Sequence, residues 1–171
     1  MTAQIRHAAL PWLAIACGLG ALALRRPGWE ATAVLLMIGV VGLTVPVPRS
    51  AAMSGWLVVA GVGVAAFAVA RFAGGGVGAP VTAMTLVANT GAAVAEELVF
   101  RRALYGRLER HGPMVAVLVT AVLFGVVHAP LYGWGVVPVD VAAGLLFGWQ
   151  RWASGTWTAP AATHVLANLM G

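Results

Sequence analysis

The sequence is poor in charge. Its only charged side chains at neutral pH are five acidic residues and ten arginines, and lysine does not occur. Charged residues make up 9% of the 171 residues, whereas hydrophobic residues make up 61%. Because Lys, Glu, Arg and Asp are the residues that cover the surface of soluble proteins, this chain has too little polar surface for a water-soluble globule. The composition indicates an integral membrane protein.

Cysteine is almost absent as well. The single one, Cys17, cannot form an internal disulfide, so the fold does not depend on such a bond. No segment combines a dense run of basic residues with interleaved aromatic residues, which is the pattern of a nucleic-acid surface. No nucleic-acid partner is therefore expected, and the arginines are interpreted as signals of membrane orientation.

The chain does contain a series of apolar runs, most of them near the length of about 20 residues that a helix needs to cross a bilayer. Seven helices are predicted, at residues 8–24, 30–45, 52–70, 81–110, 113–130, 138–152 and 156–170. The first run also resembles a secretory signal peptide, but further spans follow it, which favours a retained helix. The prediction is an all-α, polytopic integral membrane protein with about seven transmembrane helices.

Arginines are unevenly divided between the two sides that these seven spans define. Seven fall on the side of the N-terminus and three on the opposite side: Arg6, Arg49, Arg101, Arg102, Arg107, Arg110 and Arg151 against Arg25, Arg26 and Arg71. Basic residues concentrate on the cytoplasmic side of membrane proteins. We therefore expect a cytoplasmic N-terminus, a location in the plasma membrane and lipid as the surrounding partner.

Two of the five acidic residues are adjacent. Glu96 and Glu97 lie within the fourth run, far from its predicted ends. A carboxylate near the middle of a bilayer costs about 2.5–3.5 kcal/mol on insertion scales, so intramembrane acids usually face a water-filled cavity and act there. Arg101 follows Glu97 by four residues and shares its helix face. The structural alternative is a helix end at the lipid headgroups, where Glu97 pairs with Arg101.

Two further polar motifs interrupt the apolar runs. Phe124 precedes His128 by four residues in the fifth helix, and His164 precedes Asn168 by four in the seventh. At 1.5 Å per residue, Glu96, His128 and His164 each lie roughly 20 Å from the arginine-rich helix ends. Taken singly, either histidine has a packing role as its alternative, and His164 with Asn168 has an interhelical hydrogen-bond role. Their common depth favours a single polar site.

The other polar and small residues have structural interpretations. Four lie beside arginines or loops and are interpreted as solvated: Glu30, Glu109, His7 and His111. Asp140, two residues after a proline, is interpreted as favouring the start of its helix. Gly144 and Gly148, four residues apart, predict close helix packing.

The three motifs together resemble those of the CPBP intramembrane proteases, which include CAAX-processing endopeptidases and bacterial bacteriocin-processing or Abi proteins. The family motifs EExxxR, FxxxH and HxxxN/D stand here as Glu96-Glu97…Arg101, Phe124…His128 and His164…Asn168. The resemblance covers about residues 80–171, which are expected to form a CPBP-type catalytic core. Residues 1–79 carry no motif and are expected to form N-terminal transmembrane helices.

The resemblance implies an intramembrane endopeptidase that cleaves a peptide or a lipid-modified, membrane-tethered protein near the cytoplasmic face. Glu96 is then the catalytic carboxylate, Glu97 and Arg101 a supporting pair, and the remaining cavity wall is His128, His164 and Asn168. Peptide hydrolysis requires a base for water and donors for the oxyanion. Glu96 with His128 fits the first requirement, and His164 with Asn168 fits the second.

Two alternatives stay open from the sequence. Glu96, His128 and His164 are also the residue types of a catalytic zinc site, although the H-E-x-x-H spacing typical of zinc is absent; the cofactor is therefore zinc or none. A non-catalytic membrane protein of the immunity or chaperone type would use the same cavity for binding. A small transporter would show an internal repeat, which this sequence does not show.

Overall fold

A computed structural model of the chain describes residues 2–24, 55–74 and 82–170. Every element in these ranges is helical, which confirms the all-α prediction for them. The α-helices are α1 (Thr2–Leu24), α2 (Trp56–Ala73), α3 (Ala83–Glu97), α4 (Tyr105–Leu108), α5 (Pro113–Tyr132), α6 (Val137–Ser154) and α7 (Thr158–Leu169). The helix predicted at residues 30–45 lies outside the described residues.

Three helical stretches in the described residues are long and apolar enough to cross a membrane. They are Trp56–Ala73, Ala83–His111 and Pro113–Tyr132, and Pro11–Leu24 is a shorter apolar helix. These helices make the chain a membrane protein, as predicted. The predicted number of seven transmembrane helices is not confirmed, because α6 and α7 do not belong to this set.

The stretch Ala83–His111 is not α-helical throughout. A π-helix (Leu98–Leu104) joins α3 to α4, and a 3₁₀ turn (Glu109–His111) follows α4. At the end of the π-helix, the N–H of Tyr105 donates to the carbonyl oxygen of Phe100, five residues earlier. Such π-helical insertions are rare and are often found at functional sites. This one begins directly after Glu97.

Helices α5 and α6 pack closely through glycine. A Cβ atom at Gly144 would lie 2.8 Å from Cα of Ala121, and one at Gly148 would lie 3.0 Å from Cγ1 of Val117. The predicted close packing of Gly144 and Gly148 is therefore confirmed. The connection between the two helices begins at Gly133, whose φ of 85° is a conformation that glycine adopts without strain.

Helices α2 and α7 run in the same direction. At their starts, Nε1 of Trp56 donates to Oγ1 of Thr158 at 2.8 Å. At their ends, Nε of Arg71 donates to the carbonyl oxygen of Met170 at 2.8 Å. The predicted order of spans requires this direction, because the third and seventh crossings of a membrane are parallel.

A buried polar contact fixes α2 against α6 and α7. Nε2 of Gln150 donates to the carbonyl oxygen of Val59 at 2.9 Å and to Oγ1 of Thr163 at 2.8 Å. Gly63 of α2 lies directly over this contact, since a Cβ atom there would meet both Gln150 and Thr163. Although α2 carries no motif, it packs against α7, which carries the motif His164…Asn168. The division into residues 1–79 and 80–171 stays a prediction.

The two ends of the molecule differ in their residues: one is rich in arginine, and the other exposes tryptophan. One end carries α4, the start of α5 and the end of α6, and we call it the arginine-rich end. There, Nε of Arg151 donates to the carbonyl oxygen of Arg101 at 3.1 Å. Nη2 of Arg151 also lies 3.8 Å from Oε2 of Glu109. At the opposite end, the short 3₁₀ turn Trp134–Val136 joins α5 to α6, and Trp134 is exposed. We call this second end the tryptophan end.

Candidate active site

Glu97 and Arg101 form a buried ion pair. Nη1 of Arg101 donates to Oε1 of Glu97 at 3.1 Å, and both side chains are 0% exposed. Nη2 of the same guanidinium donates to the carbonyl oxygen of Gly144 at 3.1 Å. Nδ1 of His164 lies 3.1 Å from the same Oε1 of Glu97. The pair therefore connects its own helical stretch to α6 and α7.

Aromatic rings surround the guanidinium of Arg101. Its Cζ lies 5.5, 4.6 and 5.1 Å from the ring centroids of Phe100, Phe124 and Phe147. A guanidinium over an aromatic face is attracted by the ring quadrupole, and more strongly where water is excluded. Phe147 also stacks on the ring of His164, with centroids 4.8 Å apart. The phenylalanines hold the cation and one imidazole in fixed positions.

Glu96 faces both intramembrane histidines. Its Oε2 lies 3.6 Å from Nε2 of His128 and 3.9 Å from Nε2 of His164. All three side chains are buried, with residual exposures of 3%, 7% and 8% for Glu96, His128 and His164. The structure therefore brings side chains from α3, α5 and α7 together in one layer, at the common depth that residue counting predicted.

Hydrogen bonds define which nitrogen of each imidazole faces Glu96. Nδ1 of His128 lies 2.7 Å from the carbonyl oxygen of Phe124, and Nδ1 of His164 lies 3.1 Å from Oε1 of Glu97. A carbonyl oxygen and a carboxylate oxygen can only accept, so both Nδ1 atoms donate. In the neutral rings, the Nε2 atoms then carry the lone pairs, and both are directed at the carboxylate of Glu96.

Asn168 is the sixth predicted site residue. It lies on α7, one turn after His164, and its side chain is partly buried. In the described part of the chain, no hydrogen bond joins its amide to the other five residues. The structure relates Asn168 to the cluster only through its position on α7, one turn after His164.

Asp140 is a seventh residue of the site, which the sequence interpretation missed. It stands in the first turn of α6, as predicted for a residue at a helix start. Its Oδ2 also lies 3.7 Å from Nδ1 of His128. The available signal was compositional, because Asp140 is the only aspartate in the chain and lies beside an apolar run.

The zinc alternative requires Glu96, His128 and His164 to converge on one ion. Their residue types suit zinc, which binds imidazole nitrogen and carboxylate oxygen at about 2.0–2.2 Å. Within residues 2–24, 55–74 and 82–170, however, no group of three His, Cys, Asp or Glu side chains is arranged to hold a metal ion. The choice between zinc and no cofactor stays a prediction.

Comparison with known proteins identifies one family. A sequence profile of the family described as Rce1-like, type II CAAX prenyl endopeptidase Rce1-like, matches residues 78–170. The matched range covers more than half of the chain and contains all three motifs. No curated protein and no solved structure matches the chain.

Proposed function

The chain belongs to the Rce1-like family of type II CAAX prenyl endopeptidases, and on this premise we propose that it hydrolyses a peptide bond within the membrane. Its substrate is a peptide or a lipid-modified, membrane-tethered protein. The observation that carries the proposal is the convergence of Glu96, His128 and His164, with the Glu96 carboxylate 3.6 and 3.9 Å from the two Nε2 atoms. A carboxylate between two imidazoles is a suitable environment for activating water.

Glu96 acts as the general base. Its carboxylate removes a proton from water while the oxygen of that water forms a bond to the carbonyl carbon of the substrate. The lone pair on Nε2 of His128 accepts the second hydrogen of the water and so orients its oxygen. When the tetrahedral intermediate collapses, the carbon–nitrogen bond breaks and Glu96 returns its proton to the leaving amine. The base is thereby regenerated.

The oxyanion of the intermediate requires hydrogen-bond donors. Because Nδ1 of His164 is held by Glu97 at 3.1 Å, this ring donates through Nε2 only when it is protonated. The amide of Asn168 is a donor in either state, and it lies one turn away on the same helix. We therefore assign oxyanion stabilisation to Asn168 together with His164, and the support of His164 to Glu97 and Arg101.

Substitution of the base tests this assignment. The rate of cleavage by purified Glu96→Gln in lipid vesicles is expected to fall by about 10²–10⁴-fold, the usual contribution of a general base. Quenched peptides, each with and without a prenylated cysteine, serve as substrates. Glu109→Gln is the matched control, because it removes a carboxylate that pairs with Arg151 at the arginine-rich end. A wild-type rate in Glu96→Gln would rule out Glu96 as the base.

Chelation tests whether a metal takes part. The mechanism proposed here uses no metal, so cleavage is expected to persist in a chelator and metal analysis is expected to find no stoichiometric zinc. Loss of cleavage that zinc alone restores would assign Glu96, His128 and His164 as zinc ligands instead. In that case, His128→Ala and His164→Ala would each lower the zinc content.

The orientation in the membrane completes the proposal. From the arginine excess we propose that the protein lies in the plasma membrane with its N-terminus and its arginine-rich end in the cytoplasm. The site lies nearer the tryptophan end, since His128 is four residues from the end of α5 and 15 from its start. The arginine count and the expectation of cleavage near the cytoplasmic face therefore point in opposite directions. We base the proposed orientation on the arginine count.

A further inference from the structure

His128 lies between two carboxylates. Its Nε2 is 3.6 Å from Oε2 of Glu96, and its Nδ1 is 3.7 Å from Oδ2 of Asp140. Asp140 reaches the ring from α6, whereas His128 belongs to α5 and Glu96 to α3. The imidazole and the two carboxylates on either side of it thus come from three different helices.

The hydrogen bond to Phe124 does not by itself hold the ring in place. The carbonyl oxygen of Phe124, 2.7 Å from Nδ1, belongs to the same helix as His128 one turn earlier. A contact within one helix cannot fix the position of the ring relative to α3, where Glu96 lies. Asp140 adds a contact from a different helix, and its negative charge faces the nitrogen that carries the hydrogen.

We propose that Asp140 is a positioning residue for His128, which orients Nε2 toward the water bound at Glu96 and strengthens this nitrogen as the acceptor of a hydrogen bond from that water. A carboxylate at Nδ1 fixes the tautomer and the ring orientation of catalytic histidines in unrelated enzymes. The inference rests on the proposed function, because the positioned water is the nucleophile of that reaction.

The contact is not a by-product of a helix start. A negative charge anywhere in the first turn of α6 would interact favourably with the helix dipole. Asp140 is directed instead at an imidazole of the neighbouring helix, and its side chain is 25% exposed although the first turn of α6 lies beside the exposed tryptophan end. The two roles differ in their dependence on distance: the dipole role tolerates Glu at this position, whereas the positioning role does not.

Two substitutions separate these roles. Asp140→Asn removes the charge at constant size, and Asp140→Glu keeps the charge but changes its distance from His128. We expect kcat of Asp140→Asn to fall about 10–100-fold, the usual effect of losing a group that orients a site residue. KM is expected to change by less than about twofold, because the proposed role of Asp140 is exerted through His128. Asp140→Glu is expected to show an intermediate kcat.

Glu109→Gln serves again as the matched control. Its carboxylate is also 25% exposed and lies 3.8 Å from its partner, Arg151, so its loss removes a similar ion pair from the other end of the molecule. Its kcat is expected to equal that of the wild type. A wild-type kcat in Asp140→Asn would overturn the inference. A wild-type kcat in Asp140→Glu would also overturn it if Asp140→Asn lowers only the melting temperature.

A second readout does not require turnover. In protein labelled with ¹⁵N-histidine, the proton on Nδ1 of His128 is expected to give a signal that is protected from exchange in the wild type and in Glu109→Gln. Asp140→Asn leaves the hydrogen bond to Phe124 in place, so the signal is expected to persist but to broaden, because the ring no longer has its ionic contact with α6. If the wild type cleaves no probe, the proposed function fails, and this signal alone then tests the role of Asp140. An unchanged signal in Asp140→Asn would refute that role.

Discussion

Arg101 is the residue on which the charge balance of the site depends. It neutralises Glu97, binds the carbonyl oxygen of Gly144 and lies among three phenylalanine rings. A charge in such surroundings is tolerated only when it is paired, because removal from water is costly for each ion separately. Removing one partner of the pair is therefore expected to lower the stability of the protein more than removing both.

Arg101→Met tests this expectation. The substitution leaves the carboxylate of Glu97 buried without its cation, so the free energy of unfolding is expected to fall by about 3–5 kcal/mol. Unfolding in mixed detergent, followed by circular dichroism, measures the change. The double variant Glu97→Gln with Arg101→Met is expected to recover much of the loss. If the single variant unfolds like the wild type, the pair is not buried in the way that the structure describes.

Single residues also show what sequence could and could not predict. The partnership of Glu97 and Arg101 follows from their spacing of four on one helix, and it was predicted. The contact of Asp140 with His128 was missed, because it crosses between two helices and depends on how the turn after Gly133 sets α6 against α5. The common depth of Glu96, His128 and His164 was predictable only because 1.5 Å per residue converts sequence distance into depth.

Among the helices, α2 shows how a segment without a motif supports the site. Gln150 of α6 donates hydrogen bonds to Thr163 of α7 and to the carbonyl oxygen of Val59 in α2. Thr163 directly precedes His164. Phe67 of α2 also stacks on Phe147, with centroids 5.5 Å apart. The position of His164 thus depends on a helix that the family profile does not match. Sequence patterns did not predict this contact, because α2 is apolar on all sides.

Two glycines of α2 provide a matched test. A Cβ atom at Gly63 would lie 2.8 Å from Cγ2 of Thr163, whereas one at Gly61 would meet nothing within 4 Å. Gly63→Ala is therefore expected to lower stability by about 1–3 kcal/mol, the usual cost of overpacking, and to reduce cleavage by displacing α7. Gly61→Ala is expected to be neutral or slightly stabilising, because Ala favours helix. Equal melting temperatures for the two variants would contradict the packing of α2.

The π-helix Leu98–Leu104 is the element that no sequence rule anticipated. The sequence predicted one continuous helix over residues 81–110, and the structure shows a helical stretch of nearly that length whose middle is π-helical. Apart from Arg101 and Arg102, the residues of that segment are of the types found in an ordinary apolar α-helix. The π-helix includes Arg101, and it sets the direction of this side chain relative to Glu97.

For the molecule as a whole, the proposed orientation rests on the difference between its two ends. Arg102, Arg107 and Arg110 lie at one end, and Trp134 and Tyr132 are exposed at the other. Basic residues favour the cytoplasmic side, and exposed tryptophan and tyrosine favour a membrane interface. The predicted number of seven spans is not confirmed, since α6 and α7 are not among the described helices that are long and apolar enough to be recognised as spans.

Labelling of single cysteines tests the orientation. In a Cys17→Ala background, His111→Cys marks the arginine-rich end and Trp134→Cys marks the tryptophan end, and both positions are exposed. A membrane-impermeant maleimide is expected to label Trp134→Cys in intact cells, and His111→Cys only after the cells are opened. The reverse pattern would place the arginine-rich end outside and refute the proposed cytoplasmic N-terminus.

The central claim is that Glu96 activates water for attack on a peptide bond. Its most direct test is mass spectrometry of peptides incubated with the wild-type protein in vesicles made in H₂¹⁸O, with Glu96→Gln as the background. Hydrolysis predicts cleavage at a defined bond, with one ¹⁸O atom in the new carboxylate of the wild-type product and no product from the variant. Intact peptides that remain bound to both proteins would contradict the claim and would show a cavity used for binding alone.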